Sequence, residues 1–291
     1  MSGLSIRDDE KDFANKYQIK NPLRVKRFVG LSLGGGKSDK ACLAVIDYYP
    51  DQEKIFLKKI YEKIKNDENL SADAQIIDLI RKYSQNLISV TFDVPMQLPI
   101  CMTCKLKCPG FETCGESHIR WMWAQTKKFQ AKKKPKKIFT PYTQRSVDMY
   151  LQYNIEEKIP IQHALGANIA PHLARAHFLQ RQVTTSTLET NSHLSVWRVG
   201  LQYRVMKRHL RNHRHSVMGS EARSAIIKTL SQKNVIFLYQ QDMKAMVENN
   251  HAFEAFISAF SGFLDFKGAC EPRPDGFPST EAWIVIPKIL E

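Results

Sequence analysis

The chain has 291 residues, 43% hydrophobic and 10% aromatic, enough for a sizeable core in one large domain or two small ones, so global disorder is not expected. Its 43 Lys and Arg against 29 Asp and Glu leave a net charge of +14, which favours polyanions: nucleic acid first, anionic membrane surface second. No apolar run approaches the roughly 18 residues that span a bilayer, and residues 1–26 are polar without a signal-peptide core, so the expectation is a cytoplasmic protein with no membrane partner.

Behind the polar segment 1–26, a single domain is expected over 27–291. Arg27–Leu33, Lys40–Tyr48 and Lys54–Tyr61 read as three consecutive strands joined by Gly, Pro and Asp turns. Between the first two lies Gly36-Lys37-Ser38, the tail of a phosphate-binding P-loop. The glycine that such a loop needs five residues earlier is replaced by Leu31, and a strand follows where a helix should. The stretch is therefore read as a hairpin turn. The amides of Gly34, Gly35 and Gly36, with Ser32 and Lys37, can still approach a phosphate closely, on a nucleic-acid backbone or on a nucleotide, because no side chain intervenes.

Ser71 caps a helix running to about Gln85, with Ile76, Ile77, Leu79, Ile80 and Tyr83 on one stripe. Leu87–Phe92 is a short strand that stops at Asp93-Val94-Pro95, since Pro95 cannot donate to a ladder. Three antiparallel strands, a helix and a parallel strand open an α/β, RNase H-like mixed sheet. In such a sheet the fourth strand lies beside the first, which brings Asp93 towards Ser32 at the carboxyl edge where α/β sites form.

The loop at 100–116 holds Cys101, Cys104, Cys108 and Cys114, spaced C-x2-C-x3-C-P-x4-C. In a reducing compartment this cluster points to metal before disulfides. Zinc and a [4Fe-4S] cluster both suit four thiolates; a single compact loop with a proline after a cysteine leans towards iron–sulfur. Cys42 and Cys270 read as ordinary.

A mostly helical insertion is expected at about 117–180, within helices near 117–130, 160–181, 195–212, 219–230 and 251–264. Two basic stretches are candidates for holding nucleic acid, DNA or RNA. One carries Lys132, Lys133, Lys134, Lys136 and Lys137; the other carries Lys207, Arg208, Arg211 and Arg214. Trp121 and Trp123 are candidates for base stacking, with core packing expected for at least one. The last long helix buries Phe253, Phe256, Ile257, Phe260 and Leu264, leaving His251, Glu254, Ser258 and Ser261 on another face.

The segments "VGLSLGGGKSDKACLAVID", "ISVTFDVPMQLP", "RSVDMYL", "LETNSHLSVWRVG", "HAFEAFISAFSGFL" and "TEAWIVIP" stand in the order found in a family of predicted nucleases with an RNase H-like fold, domain of unknown function 429. The chain resembles that family over about residues 28 to 287. The resemblance implies a catalytic set of Asp93, Glu189, His251 and Glu254, and an Arg-x-x-Asp element at Arg145 and Asp148. It also implies an acid in the first strand, and Ser32 stands there instead.

Three functions follow from these readings. The first is a metal-dependent nuclease, with Asp93, Glu189 and Glu254 holding Mg²⁺ or Mn²⁺ and His251 moving a proton or positioning water. The second is an RNase H-like nucleic-acid-binding protein whose catalysis is impaired by the missing first-strand acid. The third is a phosphotransferase of the sugar-kinase type, with nucleotide at the glycine hairpin. Asp39 is the nearest acid to Ser32 along the chain, on the far side of the turn.

Overall fold

The computed structural model describes residues 24–34, 40–130 and 139–289. The first three strands form as expected: β1 (Lys26–Leu33), β2 (Ala41–Tyr49) and β3 (Lys54–Ile64), paired antiparallel. The Ser71 hydroxyl accepts from the Ala74 amide at 3.1 Å and starts α1 (Ala72–Lys82). β4 (Leu87–Phe92) then runs parallel to β1, and β5 (Ser186–Glu189) parallel to β4. The result is one mixed five-stranded sheet in the order β3-β2-β1-β4-β5.

The central strands are apolar on both faces, and helices cover both. On one face Val29, Leu31, Leu43, Val45, Val90 and Phe92 pack under α1 and against Ala176 and Leu179 of α5 (Ala170–Gln180). The other face is covered by α6 (Ser192–Gln202), α8 (Gly219–Gln232) and α10 (Asn250–Phe266), around Phe28, Ile46, Leu57, Phe253, Phe256 and Phe260. The strand period of two sends Phe28, Gly30 and Ser32 to this second face. Gly30 is there for contact: a Cβ on it would lie 2.1 Å from the Ala255 carbonyl oxygen and 2.2 Å from the Ala259 nitrogen. Only a glycine lets α10 lie this close to β1.

Between β4 and β5 the chain makes α2 (Ile100–Thr103), the cysteine loop, α3 (Ser117–Gln130), α4 (Ser146–Asn154) and α5. A third apolar cluster, with Ile119, Met122, Val147, Leu194, Phe277 and Ile286, joins this insertion to α6 and to the C-terminal segment. The remaining helices are α7 (Lys207–Asn212) and α9 (Gln240–Glu248), ten α-helices in all among the described residues.

Two helix expectations need correction, and two helices are additional. The helix expected over 160–181 begins at Ala170, because the chain first turns at Gly166, whose amide bonds the His163 carbonyl at 2.8 Å. The helix expected over 195–212 is two, α6 and α7, broken where Arg204 takes a φ of 59° and the Val205 amide turns back to the Gly200 carbonyl at 2.8 Å. α4 and α9 were not anticipated. Each has nine residues, too short for a stripe to stand out.

Candidate functional site

Four segments meet beyond the carboxyl ends of β1 and β4. β1 brings Ser32 and β4 brings Asp93, whose amide still bonds the Leu31 carbonyl at 3.1 Å. Asn191 caps α6 through the Leu194 amide and so places Ser192 at the helix start. Asn249 caps α10 the same way, which sets His251 and Glu254 in its first turns.

Asp93 binds the buried start of α6. Its carboxylate accepts from the Ser192 amide at 2.7 Å and from the Ser192 hydroxyl at 2.6 Å. Glu254 accepts from Ser32 Oγ at 3.2 Å and from the Asn250 amide group at 2.8 Å. His251 Nδ1 stands 3.0 Å from Ser32 Oγ and 3.4 Å from a Glu254 oxygen. Between the two carboxylates lies the Arg214 guanidinium. Its Nε is 2.6 Å from Glu254, and its terminal nitrogen donates to Ser192 Oγ at 2.8 Å and reaches Asp93 at 3.5 Å.

The electrostatics follow from this packing. Burial, and then the Glu254 charge, push the Asp93 carboxyl above the usual aspartate range, against Arg214 and Ser192. Burial works to raise Glu254 too, but Arg214, His251 and Asn250 outweigh it and hold that carboxyl well below its usual value. The contact with Glu254 raises the His251 imidazole against the pull of burial.

Glu189 stands apart. It ends β5 beside Phe92, but both its oxygens bind Arg145, at 2.8 Å each, and one also accepts from the Met96 amide at 2.7 Å. Arg145 donates in turn to Asp148 at 2.9 Å. Arg145 is held fully charged by Asp148 and Glu189 despite the cost of burial, and Asp148 is held below its usual range by Arg145 despite the same cost. The Arg-x-x-Asp element and the mid-chain glutamate thus form one buried, saturated cluster, apart from the Asp93–Glu254 group.

Ser32 lies in the site. Gly34 lies at the neck of the hairpin, where its amide bonds the Lys40 carbonyl at 2.7 Å. Arg175 of α5 clamps that neck, donating to the carbonyls of Gly34 and Lys40 at 2.8 and 3.0 Å. Gly35, Gly36, Lys37 and Asp39 lie outside the described residues. Beside the neck, a cavity of about 330 Å³ is lined by Lys40, Lys63, Lys65, Asn249 and His251.

Of the basic residues assigned to nucleic acid, Lys132, Lys133, Lys134, Lys136 and Lys137 lie outside the described residues. Lys207 and Arg208 are exposed on α7. Arg211 pairs with Glu157 at 2.8 Å and lies over Trp197. Arg214 turns inward to the carboxylates. Trp121 is buried against Phe277, and Trp123 stacks on Phe111 and donates to its carbonyl at 3.1 Å; both pack within the insertion rather than offering a face for bases.

Sequence reasoning missed Ser192, Asn250 and the inward role of Arg214. The asparagine caps flanking α6 and α10 were the available signal for the first two. Arg214 gave none, since a basic run reads the same whichever way one member points.

The six cysteines are free thiols. Cys101 and Cys114 are half-buried, and Cys104 and Cys108 are exposed. Burial, then Cys114, Cys108 and Cys104, push the Cys101 thiol above its usual value. All four line a cavity of about 250 Å³. Among the described residues no group of three His, Cys, Asp or Glu is placed to close on a single metal ion, and no helix is long and apolar enough to cross a membrane. Compared with known proteins, the chain matches no family model, no curated protein and no solved structure.

Proposed function

We propose that the chain is a nucleic-acid-binding protein on an RNase H-like scaffold whose carboxylate centre is held closed by its own arginine. The strand order β3-β2-β1-β4-β5, antiparallel then parallel, supports the RNase H-like reading. The observation that carries the function is Arg214. A two-metal phosphodiesterase needs carboxylate oxygens free to clamp divalent ions about 4 Å apart. Here Asp93 and Glu254 already share a guanidinium, Glu189 is saturated by Arg145, and a neutral serine stands in the first strand. These residues do not fit Mg²⁺ or Mn²⁺.

Support for the ligand is electrostatic. The net charge is +14, and Lys40, Lys63 and Lys65 line the cavity beside the hairpin neck, within reach of a phosphate backbone. Fluorescence anisotropy with single- and double-stranded DNA and RNA tests this. Expected is salt-sensitive binding with no cleavage in Mg²⁺ or Mn²⁺. Absence of salt-sensitive binding overturns the proposal. The convergence of Asp93, His251 and Glu254 favours one second reading, a nuclease; metal-dependent cleavage abolished by Asp93→Asn would establish it.

A further inference from the structure

The cysteine loop is built around a space. It leaves α2 at Cys104, whose amide closes that helix on the Ile100 carbonyl at 2.9 Å, and it ends where α3 begins. Midway, Phe111 stacks on Trp123 of α3, with ring centroids 6.0 Å apart, and on the edge of Phe139 at 5.7 Å. Gly110 takes a φ of 90° after Pro109, a turn that a side chain would strain. Two helix ends and one aromatic anchor therefore fix the loop's path. That path arranges Cys101, Cys104, Cys108 and Cys114 around a cavity of about 250 Å³ floored by Ile100 and Ile119.

The chemistry of that arrangement separates the two soft-metal candidates. Zinc bound by four thiolates, with Zn–S near 2.3 Å, draws the sulfurs together on one ion and leaves no space between them. An iron–sulfur cubane keeps its four thiolates apart by its own width and fills the middle itself. Four thiols bordering one cavity of about 250 Å³ match the second. Beside the thiols the cavity is lined by apolar Ile100, Leu106 and Ile119 and by Lys107 and Glu116, and the Lys107 charge offsets part of the negative charge of four thiolates.

We infer that the 100–116 loop is the seat of a [4Fe-4S] cluster held by Cys101, Cys104, Cys108 and Cys114. Loading is a ligand exchange. A cluster carrying four small thiolates delivers its core; each cysteine Sγ–H gives its proton to a departing thiolate and forms an Fe–S bond, and no electron moves. With Cys104 and Cys108 exposed, the seated cluster is open to oxygen from one side.

The test uses the full chain, purified without air and, separately, incubated with a synthetic thiolate-ligated [4Fe-4S] cluster. Expected are about four irons and four inorganic sulfides per chain. Broad visible absorption should bleach on reduction and survive in Cys270→Ser. It should fall severalfold in Cys108→Ser. Should Cys108→Ser fail to fold, Mössbauer spectra of the wild-type chain after gel filtration carry the same decision, since a cubane doublet that co-elutes with the chain requires a bound cluster. A colourless chain with zinc overturns the inference, and so does a chain that takes up no iron by either route.

Discussion

Arg214 and the two carboxylates it joins form a small charged lattice, and each member has a separate signature. Breaking a buried ion pair leaves a stranded charge at a cost of roughly 3–5 kcal/mol, but the Arg214 side chain is 32% exposed, so solvent relieves part of this. Arg214→Met should destabilise the fold by about 2 kcal/mol, read from urea unfolding. Asp93 gives a pH signature of fixed sign. Its folded pKa is raised, so its contribution is fully present below the unfolded value of about 3.9 and is lost as pH rises through the raised value. Asparagine does not titrate. Asp93→Asn should therefore gain stability relative to the wild type between about pH 4 and 7, in urea titrations at several pH values; a difference flat across that window refutes the assignment. Glu254 runs the other way: its lowered pKa contributes above about 4.3 and the contribution fades only in stronger acid.

The cysteines divide on the same principle. Burial pushes Cys42 and Cys270 up to about 12, so neither carries appreciable thiolate near neutral pH. In the metal-free native chain, alkylation followed by mass spectrometry should label the exposed Cys104 and Cys108 first and leave Cys42 and Cys270 unlabelled until unfolding.

At the scale of elements, the site depends on how closely α10 lies on β1. Gly30→Ala places a methyl group 2.1 Å from the Ala255 carbonyl oxygen, which belongs to helix backbone and cannot swing aside. Overpacking of this kind costs about 3 kcal/mol. Because Ala255 follows Glu254, the shift should also loosen the contact with Arg214. Denaturant midpoints, compared with Gly276→Ala in an open loop at a φ of 72°, separate crowding from backbone strain. A second element-scale test concerns the β5 end. Glu189→Gln leaves Arg145 with Asp148 as its remaining carboxylate partner in a fully buried cluster and should cost about 2 kcal/mol, while nucleic-acid affinity below the unfolding transition stays unchanged. Loss of affinity at full folding would return Glu189 to the functional site.

For the whole molecule, the +14 net charge makes association with a polyanion an ionic-strength effect. A plot of log affinity against log salt should fall with a slope near −0.9 per phosphate contacted on duplex DNA. Replacing Lys63 and Lys65 together by alanine should flatten that slope by about 1–2 without changing the unfolding midpoint, because both side chains are exposed. An unchanged slope would move the contact surface away from the cavity beside the hairpin.

What the sequence determined by itself is local. β1 to β4 and α1 are legible because alternation, apolar runs, the Ser71 cap and Pro95 act over a few residues. The approach of Asp93 to Ser32 was also readable from sheet order, whereas the arrival of His251 and Glu254 beside them was implied only by the family resemblance. The grouping of four cysteines in one loop needed only their spacing. Tertiary structure alone decided which charge faces which. Glu189 pairs directly with Phe92, yet its side chain serves Arg145, 44 residues away. Arg214 sits among exposed basic neighbours, yet bonds a carboxylate 40 positions later. The physical reason is that a buried charge takes whichever opposite charge the packed chain brings within about 3 Å, and that distance is set by packing across the fold rather than by any nearby residue.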